Sequence, residues 1–393
     1  MMAGEKEAAA AGTYMVRRLS QTEKLLTRPL YEEAFPEDGP ELTDFYYDKK
    51  MAGNVVFAAL DRTGHASGML CLNPYRVMIR GKEFPLSYIV AVATERERRR
   101  KGIMRSVLTE ALLFLRSRSA ALREQQLPGV PFTFLKPADP AYYEPFGFAY
   151  ISRRIRRALK KDVPCTRKVL KDAGDAAVFM NSFLAEHYEA YCFRDDRYMR
   201  DLLCELEAGK GRMELLIDNT GAEANAGAEA SAGQRIIGTA AWDYPEAPEH
   251  MGRILAGEEY LLPAEGPAEP FMMARIVDLP EFLGMLSEKR TDRNAAQKRK
   301  NSTPSFRFAF EDPLIPENQG LWEIRLGEAG LAVTRLNGEG AEMTDMPAGT
   351  PVFTPEQMTQ LLFGYRAPEE GTAEEVLLRF LPPLRGVYFD EET

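Results

Sequence analysis

The segment whose residues point most clearly to a chemical function is a basic, glycine-containing turn between a predicted strand and a predicted helix. The apolar run Phe84–Thr94 predicts a buried strand, and Gly102–Ser117 carries apolar residues at the 3.6-residue spacing of an amphipathic helix. Five basic residues precede that helix: Arg96, Arg98, Arg99, Arg100 and Lys101. A helix start offers unpaired backbone N–H groups and partial positive charge, and Gly102 would let a ligand approach the backbone. The segment therefore predicts a pyrophosphate site, with a solvated basic loop as the alternative.

Two common phosphate-binding motifs are absent from the sequence. It contains no G-x-x-x-x-G-K-[ST] segment, and no G-x-G-x-x-G follows a predicted strand. A nucleotide site of either type is therefore not expected.

The predicted elements fall into three blocks. In the first, strands are predicted at Asn54–Leu60, Ser67–Tyr75, Arg76–Ile79 and Pro131–Leu135. In the second, helices are predicted at Asp175–Tyr191 and Arg197–Ala208, and strands at Arg212–Asp218, Arg235–Trp242 and Phe271–Val277. In the third, strands are predicted at Ser305–Glu311, Leu321–Leu326 and Gly330–Leu336, and Thr354 is predicted to cap a helix. A polar, basic stretch at 289–304 separates the last two blocks and is predicted to be a linker.

Composition and charge exclude several classes of protein. The 393 residues are 45% hydrophobic and 28% charged, as in folded proteins that bury a core, and the length suggests two to three domains. The net charge of −9 disfavours a general nucleic-acid binder. Four cysteines without a C-x-x-C pair and three histidines predict no metal site. We expect a cytoplasmic protein, since no signal peptide or apolar run long enough to span a membrane occurs.

Two motifs in the first block resemble a known superfamily. Arg99-x-x-Gly102-x-Met104 resembles the R/Q-x-x-G-x-G/A loop of the GNAT acyl-CoA N-acyltransferases, with Met at the last position. Tyr143-Glu-Pro-Phe-Gly-Phe148 resembles the Y-x-x-F-G-F/Y segment that closes that domain. The resemblance implies acetyl-CoA as cofactor.

Further segments resemble the enhanced-intracellular-survival (Eis) branch of that superfamily. They are Phe35-Pro-Glu-Asp38, Phe45-Tyr-Tyr47 and Met273–Leu279. Asp312–Asn318 and Trp322 resemble the sterol-carrier-protein-like C-terminal domain of those proteins. The implied architecture is α/β (α+β), with tandem GNAT folds around mixed central sheets and a sterol-carrier-like domain. The expected domains are a catalytic domain at 1–156, a degenerate second GNAT domain at 157–288, a linker at 289–304 and the last domain at 305–393. Homo-oligomers, specifically hexamers, are implied as well.

The resemblance also implies a set of site residues. Acetyl-CoA would be bound by Val92, Ala93, Thr94, Arg99, Arg100, Lys101, Gly102, Ile103, Met104, Arg105, Ala138 and Asp139. Tyr143 would be the general acid that protonates the leaving thiolate, unless it is a packed aromatic residue. The C-terminal carboxylate would be the base, here on Thr393, with Glu391 or Glu392 as substitutes. Acidic residues Glu33, Glu37 and Asp38 could attract a cationic substrate or form a solvated helix end.

The implied reaction is direct transfer of an acetyl group to a primary amine, either an aminoglycoside-like polycation or a lysine side chain. Two other classes of function stay open on the sequence alone. One is a regulatory sensor that binds acyl-CoA without turnover. The other is a lipid-binding protein that uses the C-terminal block.

Overall fold

The main sheet combines strands from distant parts of the chain. The computed structural model describes residues 14–155, 157–170, 174–219, 235–242, 253–264, 266–287, 304–327, 330–338 and 346–391. Within these residues, a mixed sheet contains nine strands: β1 (Met15–Arg18), β2 (Val55–Leu60), β3 (Ala66–Ile79), β4 (Lys82–Thr94), β5 (Phe132–Leu135), β6 (Ala149–Tyr150), β9 (Ala190–Cys192), β14 (Met273–Ile276) and β19 (Val387–Tyr388). Their order is β1-β2-β3-β4-β5-β14-β6, with β9 paired to β3 and β19 paired to β9. The mixed α/β class expected from the sequence is confirmed.

A long hairpin of β3 and β4 is the backbone of this sheet. The two strands predicted at Ser67–Tyr75 and Arg76–Ile79 are one continuous strand, β3. The hairpin turns at Arg80 and Gly81, which have φ angles of +47° and +73°. Near this turn, β9 pairs with β3, and β19 pairs with β9 in parallel. The hairpin therefore ties the end of the chain to the first block.

The strand β14 lies inside the main sheet, between β5 and β6. Met273 is opposite Leu135 on one side and opposite Tyr150 on the other. The predicted strand is confirmed, but its partners belong to the first block of the chain. The first block is thus completed by a strand that follows it by more than a hundred residues.

Helices cover the sheet and contribute to the site described below. They are α1 (Arg28–Ala34), α2 (Gly39–Phe45), α3 (Ile103–Glu124), α4 (Gly174–His187), α5 (Asp196–Ala208), α6 (Leu279–Met285), α7 (Pro355–Leu362) and α8 (Ala373–Phe380). The predicted apolar stripe on α3 is buried from Ile103 through Leu115 except for Met104, which is half-buried, and the helix continues beyond the predicted Ser117. A π-helical turn, Tyr46–Lys50, follows α2 directly.

The described residues of the second block form an antiparallel sheet of four strands, which are β8 (Cys165–Val169), β10 (Arg212–Asp218), β11 (Ile236–Trp242) and β12 (Arg253–Ala256). Their order in the sheet is β12-β11-β10-β8. The predicted hairpin of β10 and β11 is confirmed, with Arg212 opposite Trp242. The helix predicted through Tyr191 ends earlier, at His187. The following residues are drawn into β9 because the hairpin β3–β4 offers them strand partners.

The third block contains a sheet of strands β15 (Ser305–Phe310), β16 (Gly320–Gly327), β17 (Gly330–Arg335) and β18 (Val352–Phe353). Their order is β17-β16-β15-β18. Outside this block, two short strands, β7 (Arg153–Arg154) and β13 (Glu269–Pro270), pair with each other. The predicted cap of α7 is confirmed: Thr354 and Gln357 form a reciprocal capping box. In the described residues, no helix is long and apolar enough to cross a membrane.

Candidate active site

The strands β4 and β5 meet at one residue pair and then separate. Tyr88 is opposite Phe134, and the Thr133 hydroxyl donates a hydrogen bond to the carbonyl of Ser87 at 2.7 Å. Beyond Tyr88, β4 continues to Thr94 without pairing to β5, although its other edge stays paired to β3. Backbone N–H and C=O groups along this separated edge need partners, so the edge can receive an extended polar molecule.

A bulge distorts β4 within the separated segment. The register with β3 shifts between Met69 and Cys71, and Ala91 has a φ angle of +52°. A non-glycine residue in the left-handed region is uncommon, and bulges recur next to active sites, where they redirect side chains. The bulge at Val90 and Ala91 therefore lies within the separated edge of β4.

The basic loop after β4 leads into an uncapped helix. Arg100 and Gly102 have φ angles of +63° and +80°, and Gly102 is the N-cap residue of α3. Among the residues that the structure describes, no side chain caps the first turn of α3. The space where a Cβ of Gly102 would lie is open. Arg99 donates a hydrogen bond from Nε to the carbonyl of Thr94 at 3.1 Å, which holds the loop against the strand end.

This loop has the chemistry that an acidic cofactor needs. The side chains of Arg100 and Lys101 are exposed, and within the described residues neither has an ion-pair partner. The free N–H groups of the helix start add positive potential in the same place. Of the predicted cofactor contacts in this region, Arg99, Arg100, Lys101, Gly102 and Arg105 are exposed, whereas the side chains of Ala93 and Ile103 are buried.

Tyr143 lies in the apolar core close to this surface. Its side chain is 7% exposed, and its ring lies edge-on to Phe148 with centroids 5.9 Å apart. Arg105, at the start of α3, lies over the ring of Phe146, 5.1 Å from its centre, so the basic loop and the tyrosine segment are adjacent. Within the described residues, no group hydrogen-bonds to the Tyr143 hydroxyl. Burial raises the pKa of Tyr143 to about 12, so the phenol keeps its proton at neutral pH.

The other predicted cofactor contacts lie just before Tyr143. Ala138 and Asp139 are exposed. The carboxylate of Asp139 accepts a hydrogen bond from the Ala141 N–H at 2.9 Å and so caps the short helical turn that leads to Tyr143. This local role accounts for an acidic residue at that position whether or not it touches a cofactor.

A cavity of about 200 Å³ adjoins the bulge of β4. We call it the bulge cavity. It is lined by Val90 and Ala91 and, opposite them, by acidic and aromatic residues that include Tyr31, Phe35, Asp38 and Tyr46. The Tyr31 hydroxyl donates a hydrogen bond to Oδ2 of Asp38 at 2.5 Å. Burial raises the pKa of Asp38, and the neighbouring charge of Glu37 raises it further, against the opposing effect of Tyr31.

The three acidic residues singled out by the sequence have different positions. Glu37 and Asp38 line the bulge cavity. Glu33 instead accepts a hydrogen bond from the backbone N–H of Arg96 at 3.0 Å, and this contact stabilises the basic loop. The structure therefore brings two of the three residues together at a cavity.

The end of the chain is anchored beneath the point where β4 and β5 separate. The ring of Phe389 stacks on Phe134 with centroids 4.7 Å apart. Arg194, almost fully buried, pairs with Asp390 and, at 3.1 Å, with Oε1 of Glu391. Thr393 and Glu392 lie outside the described residues.

Lys50, Glu205 and Arg194 form buried ion pairs that the sequence did not predict, and Lys50 and Glu205 line the bulge cavity. Lys50 pairs with Glu205, and Arg253 approaches the same carboxylate at 3.4 Å. Lys50 and Glu205 are 155 residues apart, and a charge in an amphipathic segment carries no local sign that it is buried. No single-sequence pattern could have paired them.

Comparisons with known proteins match a domain in the first block of the chain. Residues 15–151 match the family model of the acetyltransferase (GNAT) domain. No curated protein sequence matches the chain. The chain carries a GNAT acetyltransferase domain and is an enzyme, an N-acetyltransferase with acetyl-CoA as its cofactor.

Solved structures resemble the fold over nearly its whole length. A probable N-acyltransferase of unknown function from Enterococcus faecalis is 19% identical, with a TM-score of 0.67, covering 96% of this chain and 100% of its own. A GCN5-related N-acetyltransferase from Kribbella flavida is 13% identical, with a TM-score of 0.62, covering 98% and 100%. Eis1 from Mycobacterium abscessus is 12% identical, with a TM-score of 0.55, covering 97% and 100%. These similarities show that the arrangement of all three blocks recurs in other proteins.

Proposed function

We propose that this acetyltransferase acts on a primary amine that enters the bulge cavity. The observation that carries the proposal is that this cavity meets β4 at Val90 and Ala91, within the separated edge. An acceptor in the cavity and a cofactor along the edge would therefore share the same short segment of strand.

The cofactor is proposed to lie along the separated edge of β4, with its phosphates at the basic loop. When bound, acetyl-CoA supplies an acetyl group activated as a thioester. Backbone groups of Val92–Thr94 would pair with its polar chain. The N–H groups of Gly102–Arg105 and the cations of Arg100 and Lys101 would neutralise its phosphates.

Tyr143 is proposed to supply the proton that the departing sulfur needs. A phenol with a pKa of about 12 is protonated at neutral pH and remains available as a donor. Its hydroxyl is not engaged by any group of the described residues, so it can turn toward a newly bound partner.

The acceptor amine is proposed to be held as a cation and then deprotonated. The carboxylate of Asp38 and the rings of Tyr31, Phe35 and Tyr46 would bind an ammonium group by charge and by cation–π contact. Attack on the acetyl group requires the neutral amine, so one proton must leave first. The terminal carboxylate of Thr393 stays the predicted acceptor of that proton, two residues beyond the anchored Glu391.

Several finer expectations accompany the proposal. A hexameric assembly, a cytoplasmic location and a sterol-carrier likeness of the third block all stay predictions. The boundaries of the three domains do so as well, and β14 shows that the first two blocks share one sheet.

The proposal is tested by measuring release of free CoA thiol from acetyl-CoA with a panel of amines. We expect release that depends on the amine, and a rise in melting temperature with acetyl-CoA alone. If no amine in the panel gives thiol release while acetyl-CoA still raises the melting temperature, the protein is an acyl-CoA sensor instead. If there is no thiol release and acetyl-CoA does not raise the melting temperature, the proposed cofactor site is wrong.

A further inference from the structure

A second cavity lies next to the bulge cavity. It has a volume of about 190 Å³ and adjoins the β3–β4 hairpin at Tyr75 and Leu86. We call it the hairpin cavity. Exposed Arg76 and Arg197 in its lining show that it reaches the surface, and Glu391 lines its inner part. The two cavities have two lining residues in common, Lys50 and Glu205.

These two residues are the paired charges noted above. Lys50 ends the π-helical turn after α2, and Glu205 lies on α5, so the pair joins the first block to the second. Both residues are buried, with 6% and 8% of their surface exposed. The carboxylate of Glu205 is also approached by Arg253, which lines the hairpin cavity alone.

We infer that the Lys50–Glu205 pair is a partition that closes the bulge cavity and restricts the acceptor to a compact primary amine. This inference rests on the proposed function. A buried ion pair is weak evidence for stability, because desolvation offsets most of the attraction between the charges. Its position as the shared wall of two cavities gives the pair a different role, which is to fix the size of the acceptor site.

The volumes set the class of acceptor. Pockets for drug-sized ligands usually exceed about 300 Å³, and the bulge cavity alone is smaller. The two cavities joined would reach that range. With the partition in place, the site fits a short-chain or single-ring amine, and a multi-ring polycation exceeds it.

Opening of the partition would join the two cavities and lengthen the space available to an acceptor. The partition therefore discriminates against length by blocking access to the hairpin cavity.

Two substitutions of Lys50 separate the steric role from the charge. Lys50→Ala shortens the side chain and opens the wall, whereas Lys50→Met removes the charge but keeps a side chain of similar length. In both variants Glu205 retains Arg253 as a partner at 3.4 Å, so we expect both to fold. The probes are 1,4-diaminobutane and spermine, and the measurement is kcat/KM for thiol release with each.

We expect the wild type to prefer 1,4-diaminobutane by about tenfold or more in kcat/KM, a typical size discrimination for a closed pocket. Lys50→Ala should reduce this preference by about tenfold, and Lys50→Met should keep it. Equal use of both amines by the wild type, which needs no variant, would overturn the partition while leaving the transferase intact. Equal preferences in folded Lys50→Ala and Lys50→Met would also overturn it. If the enzyme acetylates neither of these amines nor any other amine, the proposed function itself is wrong.

Discussion

The ring of Phe389 stacks on that of Phe134, 4.7 Å between centroids, at the residue where β5 makes its pairing with β4. Phe134 is opposite Tyr88, and the rings of these two residues lie 5.4 Å apart. The end of the chain is thus part of the core that holds the two strands together below their separation. Stability and activity should both depend on this contact.

Replacement of Phe389 tests this dependence. Phe389→Ala should lower the free energy of unfolding by about 3–5 kcal/mol, because it leaves a cavity against Phe134. Phe389→Leu keeps most of the apolar volume and should cost less than about 1.5 kcal/mol. Urea unfolding measures both. If the two variants are equally stable, the stacked contact does not anchor the tail.

The proton-donor role of Tyr143 predicts a loss of rate without a loss of cofactor. Tyr143→Phe should lower kcat by roughly 10²–10⁴-fold, the usual contribution of a general acid. The affinity for acetyl-CoA should not change, because the phenol is not part of the loop that binds phosphates. Tyr142→Phe is the matched control, since Tyr142 is 57% exposed and next in sequence. Similar rates in both variants would show that Tyr143 is a packing residue.

The same tyrosine predicts the shape of the pH profile. Burial raises the pKa of Tyr143 to about 12, so the donor form persists through the range in which the acceptor amine loses its proton. The rate should therefore rise with pH as the amine is deprotonated, without a decline attributable to the phenol below about pH 11. A decline near pH 9 that disappears in Tyr143→Phe would contradict this assignment.

Local sequence patterns predicted β4, the basic loop after it and α3. Contacts between residues that are distant in sequence left no such pattern. The stripe on α3 repeats every turn, so Ile103 and Leu115 could be placed in the core from the sequence. The strand β14 was predicted, but its insertion beside Leu135 was not, because strand partners are chosen in three dimensions. The two-residue strand β19 and the pairing of Lys50 with Glu205 are too short or too distant to leave a periodic signal.

The basic loop predicts a binding defect that is separate from backbone strain. Gly102→Asp would place a negative charge at the start of α3 and should weaken acetyl-CoA binding by about tenfold or more, as expected for a lost or reversed phosphate contact. Gly81→Asp is the matched control, because Gly81 has a similar φ angle of +73° and open space around it. Calorimetric titration with acetyl-CoA compares the two. Equal weakening by both substitutions would argue that strain, not charge, is responsible.

Substitutions of Asp38 and Glu33 should affect the KM for the acceptor amine differently. Asp38→Asn removes a carboxylate that lines the bulge cavity and should raise the KM for a primary amine about tenfold, with the KM for acetyl-CoA unchanged. Glu33→Gln should leave the KM for the amine near that of the wild type, because Glu33 contacts the Arg96 N–H instead. If Glu33→Gln raises the KM for the amine as much as Asp38→Asn does, the bulge cavity is not where the amine binds.

The anchored tail predicts a dependence of stability on pH with opposite signs at two neighbouring residues. Burial raises the pKa of Glu391 above its usual value, and the adjacent charge of Asp390 raises it further. Burial also opposes the ionisation of Asp390, but the charges of Arg194 and Arg253 outweigh it and lower the pKa of that carboxyl. The folded state therefore favours a proton on Glu391 and disfavours one on Asp390.

Linkage converts these directions into measurable trends. Stability from Glu391 is complete below its unfolded pKa, near 4.5, and is lost as pH rises through the higher folded pKa, so Glu391→Gln should become relatively more stable between pH 4 and pH 8. Stability from Asp390 is present above its unfolded pKa, near 3.8, and is lost as pH falls, so the penalty of Asp390→Asn should be largest at neutral pH. Melting temperatures of both variants and the wild type across this range test the pair. Parallel trends in the two variants would show that Arg194 does not distinguish the two carboxylates, and the anchor would then have to be assigned to the stacked ring of Phe389 alone.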